Sequence, residues 1–207
     1  NAITHKVGGY INLCDSAANA YAIDATCKQL LTNPLMTASS GTVSGTGASG
    51  TIATGWTGGT DTGTVTSVWT HGQARADGIG YDQKVVISSA GSGAVVNARQ
   101  TGLESKMAIG DTVYASGSLT LSSAADVKYL YPTIAITIDG TTYQVRAFDP
   151  MSTTYDNSDL TINFQTPDFL LTGSSLTQAN FFLKIGFGTS GSGAATLKFG
   201  RCGVWKR

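Results

Sequence analysis

Residues Leu130 to Phe148 spell a β-hairpin almost completely. Leu130-Tyr131-Pro132-Thr133-Ile134-Ala135-Ile136-Thr137-Ile138 runs into Asp139-Gly140, and Thr141-Thr142-Tyr143-Gln144-Val145-Arg146-Ala147-Phe148 follows. Asp-Gly between two alternating runs is the strongest short-range signal for a type I′ turn, because both central residues need positive φ. A two-residue turn also fixes register. Ile138 then faces Thr141, Ile136 faces Tyr143 and Ile134 faces Val145, which predicts Ile134, Ile136, Tyr143 and Val145 inward. On the other face Thr133 meets Arg146 and Tyr131 meets Phe148, with Gln144 beside them and Tyr129 two residues along the same strand. One face is thus an aliphatic core, and the other shows aromatic rings and planar polar groups.

The rest of the chain suits the same architecture. Alternating segments near 63–70, 83–88, 94–98, 112–121, 129–138, 142–148, 160–164, 180–187 and 195–205 read as strands. Short strands at this spacing, with little helix between them, predict an all-β jelly-roll sandwich of two antiparallel sheets. With 26 glycines and only 13% charged residues, the composition matches many strands joined by glycine turns. Leu197 and Phe199 lie out of phase with Cys202 and Val204, so a bulge is expected near Gly200. Ala38 to Gly63 is mostly Gly, Ser and Thr, yet Ile52 and Trp56 within it predict an ordered winding segment with Trp56 closing one end of the core. Tyr81 also reads as a core or edge-packing residue.

The N-terminal part reads differently. Asp15 or Ser16 can cap a helix in which Ala20, Ile23, Cys27, Leu30 and Leu31 recur on one side, and Asn33-Pro34 ends it. The expected division is residues 1–32, a segment with this short helix, and 33–207, the sandwich. The chain starts with Asn1 and shows no signal-peptide pattern, as a piece of a longer protein would.

Charge and cysteine usage exclude several roles. Lys and Arg number 13, as do Asp and Glu, so no nucleic-acid footprint is present. No apolar run approaches the roughly 20 residues of a membrane-spanning helix. Cys14, Cys27 and Cys202 are odd in number and lack CxxC spacing, so buried reduced thiols are expected.

The order of several motifs carries a family resemblance over about residues 33–207. They are Asn33-Pro34-Leu35-Met36, Ala53-Thr54-Gly55-Trp56, Ala76-Asp77-Gly78 before Tyr81-Asp82-Gln83, Gly110-Asp111-Thr112-Val113-Tyr114-Ala115, Thr166-Pro167, and Ala195-Thr196-Leu197-Lys198-Phe199-Gly200-Arg201. In this order they resemble the carbohydrate-binding-module-like jelly-roll domain that follows SGNH/GDSL-type esterase domains in phage tail fibres and related proteins. The resemblance implies a bacterial surface glycan and a homotrimer as partners and a virion-tail or extracellular location, and it permits a structural calcium ion; no cofactor is expected. The family's hydrolase carries Asp-x-x-His before its last helix, but Asp15-Ser16-Ala17-Ala18 has no histidine there.

Catalysis finds little support in the residues themselves. A serine hydrolase needs a nucleophile elbow with a base in reach, and Gly110-Asp111-Thr112 instead looks like a turn opening a strand. His5 and His71 read as solvated loop histidines. Asp149, Asp156, Asp159 and Asp168 read as turn formers, and nothing pairs them as a glycosidase requires. Asp149, Asp156, Asn157 and Asp159 form the densest oxygen cluster, read as an ordinary acidic loop without EF-hand spacing. The expected function is therefore a non-catalytic carbohydrate-recognition or adhesion module. Tyr129, Tyr131, Gln144, Arg146 and Phe148 are its candidate site, because sugar rings present apolar faces to aromatics and hydroxyls to fixed polar groups. The competing roles are a trimerisation or capping domain, in which those aromatics meet across subunits, and an accessory domain of an esterase.

Overall fold

The hairpin adopts the register that its two-residue turn dictates. Thr141 pairs with Ile138, Tyr143 with Ile136, Val145 with Ile134 and Arg146 with Thr133, and both Asp139 and Gly140 have positive φ. The computed structural model describes residues 28–75, 80–147 and 159–207. These form β1 (Lys28–Gln29), β2 (Thr42–Ser44), β3 (Ala48–Gly50), β4 (Thr57–Thr62), β5 (Val65–Ala74), β6 (Tyr81–Ala90) and β7 (Val95–Gln100). A single 3₁₀ turn at Leu103–Lys106 follows. Then come β8 (Thr112–Ala125), β9 (Val127–Ile138), β10 (Thr141–Arg146), β11 (Leu160–Gln165), β12 (Phe169–Leu170), β13 (Leu176–Phe187) and β14 (Gly193–Lys206).

They build two facing sheets. One runs β11-β8-β14-β6-β5-β3, with β1 on β14 and β12 on β8; the other runs β10-β9-β13-β7-β4-β2. The connections β4 to β5, β6 to β7, β8 to β9 and β13 to β14 each change sheet, as in a jelly roll. All pairings are antiparallel except β2 with β4 and β3 with β5. Alternation along each strand sends one set of side chains between the sheets. Val85, Ile87, Leu119, Leu121, Leu197 and Phe199 come from one sheet, and Ile134, Ile136, Phe181, Leu183 and Ile185 from the other. Trp56 spans the gap, its ring 6.0 Å from Phe181 and 5.7 Å from Phe199.

The glycine-rich stretch is structure and not linker. It supplies β2 to one sheet and β3 to the other, and Ile52, Ala53 and Trp56 are buried. Gly59 shows why the segment is sparse: a Cβ there would run into the Ser44 carbonyl of the parallel neighbour β2. The expected bulge near Gly200 is present as a register shift between Gly200 and Gly203.

Three expectations need correction. The helix expected to run to residue 32 does not extend there, since Lys28–Gln29 pairs with Lys206 and Trp205; the helix's first part lies outside the described residues. The Gln29 amide oxygen accepts from the backbone of Leu30, Leu31 and Val204 at 2.6, 2.8 and 3.1 Å, and Gln100 holds Thr32 on both sides at 2.8 and 2.7 Å. With Leu30 and Leu31 buried, this end of the segment joins the sandwich. Tyr143 lies on the inward side of the hairpin yet is 42% exposed. Its strand is the edge of its sheet, so the ring extends past the border to meet Phe169 at 5.4 Å. Tyr81 is 40% exposed beside His71, because it opens β6 above the bulged end of β5.

Candidate functional site

The outward face of the six-stranded sheet gathers aromatic and planar polar side chains. On β9 the inward set is Leu130, Ile134, Ile136 and Ile138, so Tyr129, Tyr131 and Thr133 point the other way. Tyr129 lies across the partner residue Gly186 on β13, where a Cβ would collide with its ring. Tyr129 and Tyr131 stack at 5.1 Å with 29° between their planes. The Arg146 guanidinium sits 4.9 Å from the Tyr131 ring centroid and donates to Gln144 Oε1 at 2.8 Å. Four of the five expected site residues thus share one face. Phe148 lies outside the described residues.

Tyr131 differs from expectation in one respect. It is only 8% exposed, because Arg146 covers one side of its ring and Tyr129 lies beside it. The ring open to a ligand is Tyr129. Burial raises its phenol pKa above the ordinary value, with smaller contributions from Tyr131 and the Asp61 carboxylate. Arg146 Nε is buried with no partner among the described residues.

The face continues over strands the sequence left unused. Thr133 pairs with Phe182 on β13, Phe182 with Arg99 on β7, and Arg99 with Thr57 on β4. One row along, Tyr131 pairs with Lys184, Lys184 with Asn97, and Asn97 with Gly59. Lys184 Nζ sits 4.9 Å from the Phe182 ring and 3.5 Å from Asp61. Ser44, Thr57, Gly58, Gly59, Thr60, Asp61, Asn97 and Arg99 line a recess of about 40 Å³. Its signal in the sequence is the alternation of polar Asn97 and Arg99 with apolar Val96 and Ala98. That signal is weak alone, because only the nonlocal pairings bring these residues beside Lys184 and Tyr131.

Elsewhere the chemistry is structural. His71 is a half-buried strand residue and not a loop one; the Met36 carbonyl accepts from its Nε2 at 2.6 Å. His5 lies outside the described residues, as do Cys14, Cys27, Asp149, Asp156 and Asn157. Cys202 is a buried free thiol, and burial pushes its pKa well up. Asp111 closes a turn by accepting from the Ala108 amide at 2.8 Å and pairs with Lys206 at 2.8 Å. Burial works against its ionisation, yet these partners hold its carboxyl below the usual value. Asp168 pairs with Arg207. Among the described residues no group of three His, Cys, Asp or Glu side chains is placed to hold a metal, and no helix is long and apolar enough to cross a membrane.

No family model matches the chain, and no curated protein matches it. Solved structures give partial overlaps. A structure from work on the promiscuous specificity of β-sandwich carbohydrate-binding modules has TM-score 0.47 at 13% identity, covering 73% of this chain and 56% of that one. The xylan-binding domain from Paenibacillus barcinonensis has TM-score 0.43 at 16% identity, covering 73% of this chain and 85% of its own. The enzymatically active domain of a bacteriophage CBA120 tailspike protein has TM-score 0.43 at 14% identity, covering 73% of this chain and 19% of that one. The structural neighbours therefore include carbohydrate-binding modules, and overlaps at this level assign neither ligand nor assembly.

Proposed function

We propose that this chain is a non-catalytic carbohydrate-recognition module whose ligand lies across the outward face of the six-stranded sheet. The observation that carries this reading is the Tyr129–Tyr131 stack beside Arg146, Gln144, Asn97 and Arg99 on that one face. An aromatic ring matches the apolar C–H face of a sugar, while fixed amides and guanidinium groups match its hydroxyls. The side chains sit on paired strands, so little ordering is required when a ligand arrives.

The motif resemblance supports a finer reading. The module belongs to a tail fibre or a similar surface-acting protein, meets a bacterial surface glycan outside the cell, and works as a homotrimer. A glycan array with the isolated chain tests recognition, and Tyr129→Ala is the informative variant. Binding lost in the variant with an unchanged melting temperature supports the reading. An array on which the folded wild type binds no glycan overturns it. Light scattering tests the trimer separately: a monomer at micromolar concentration removes that part alone.

A further inference from the structure

The recess between β2, β4 and β7 holds polar side chains without partners among the described residues. Asn97 is only 5% exposed, lines the recess, and its side chain forms no hydrogen bond among the described residues. Arg99 beside it has neither an ion pair nor a side-chain hydrogen bond among the described residues. A nearly buried amide with no hydrogen-bond partner among the described residues, beside a half-buried guanidinium in the same state, points to a ligand that completes them.

Charge narrows the ligand. Among the described residues the face carries Arg99, Arg146 and Lys184 against the Asp61 carboxylate, which lies 3.5 Å from Lys184. Arg146 hydrogen-bonds, among the described residues, only the neutral Gln144. Among the described residues, then, neither Arg99 nor Arg146 has a carboxylate partner. They occupy one cross-strand row, Arg99 to Phe182 to Thr133 to Arg146. Three strand spacings set them about 14 Å apart, far enough to meet different units of one polymer.

Resting on the carbohydrate reading above, we infer that the glycan is acidic, and that the recess is the subsite where Arg99 and Asn97 hold a carboxylate on one of its sugar rings. A planar, singly charged carboxylate matches a guanidinium fork and one amide. Asp61, which also lines the recess, repels a doubly charged phosphate more than a singly charged carboxylate.

The test is calorimetric titration of the chain with polygalacturonate, alginate, hyaluronan and polysialic acid, each beside its carboxyl-reduced form, with dextran sulfate as a separate arm. At least one acidic polymer binds, and carboxyl reduction weakens it about tenfold or more, the scale of a charge-assisted hydrogen-bonded pair. Arg99→Gln weakens the acidic form clearly more than the reduced form, and Arg99→Lys recovers part of the difference. Tyr129→Ala weakens both forms. Equal binding of acidic and reduced polymers, equal loss on both from Arg99→Gln, or binding confined to dextran sulfate overturns the carboxylate subsite and leaves carbohydrate recognition standing. Failure of the folded chain to bind any polymer in either form, together with a blank glycan array, removes both.

Discussion

Tyr129 is the open ring of the proposed glycan face, and its position depends on a residue with no side chain. Because a Cβ at Gly186 would strike the ring, Gly186→Ala should push the phenol off the sheet. That variant is expected to weaken glycan binding much as Tyr129→Ala does. The loss for either is about 1–3 kcal/mol if stacking on sugar resembles stacking on nucleobases. A melting curve beside the titration checks that Tyr129→Ala still folds normally. Protonation gives a second handle. Folding raises the Tyr129 phenol pKa, chiefly through burial, so its contribution to stability is whole below pH 10 and lost as pH rises through the folded value. Ultraviolet titration should show a phenol step displaced to higher pH than in unfolded chain, and Tyr129→Phe should remove it. The hairpin side of the site was legible from residue order alone, because a two-residue turn sets which residues share a face. Arg99 and Asn97 were not. Their neighbours Phe182, Lys184 and Asp61 are distant in sequence, and no local pattern pairs β7 with β13 and β4.

The hairpin and the chain's N-terminal approach show how differently local signals fare. Asp-Gly demanded one turn geometry, and the turn has a second lock that the local sequence does not reveal. Asp139 accepts from the amides of Ser174 and Ser175 and from the Ser174 hydroxyl, tying the β9–β10 turn to the loop before β13. The Ser174 amide and hydroxyl, with the Ser175 amide, hold its carboxyl below the usual carboxylate range. A depressed pKa stabilises the fold above the unfolded value near 3.8, and that stability disappears as pH falls through the folded value. Asp139→Asn should therefore melt below wild type at neutral pH, and the gap should close in acid. A gap that stays constant to pH 2 would place the effect outside the carboxylate. The apolar spacing that suggested a helix ending at residue 32 had no such lock. Leu30 and Leu31 are buried, but by a strand stapled through Gln29 to β14, so tertiary pairing overrode a helical period. Similarly, glycine and serine between Ala38 and Gly63 look like a linker in composition. Close strand approach is what that composition serves.

At the scale of the whole molecule the sandwich depends on what joins its sheets, and Trp56 is the largest single link. Its ring meets Phe181 of one sheet and Phe199 of the other, and it is 1% exposed. Trp56→Ala should destabilise the fold by about 3–5 kcal/mol, through lost burial and the cavity left between layers. Trp56 Nε1 is buried without a hydrogen-bond partner among the described residues, and leaving such a donor unmet costs about 1–3 kcal/mol. Trp56→Phe removes that donor while keeping an aromatic ring, so it should cost clearly less than Trp56→Ala. Trp56 packs between the sheets, whereas the proposed glycan face lies on the outer side of one of them. Both variants should therefore bind glycan with wild-type affinity below their melting temperatures. Denaturant titration and calorimetry on the same samples separate the two quantities. If Trp56→Ala melted normally but lost binding, the ligand would lie against the end of the sandwich and not across its outer face.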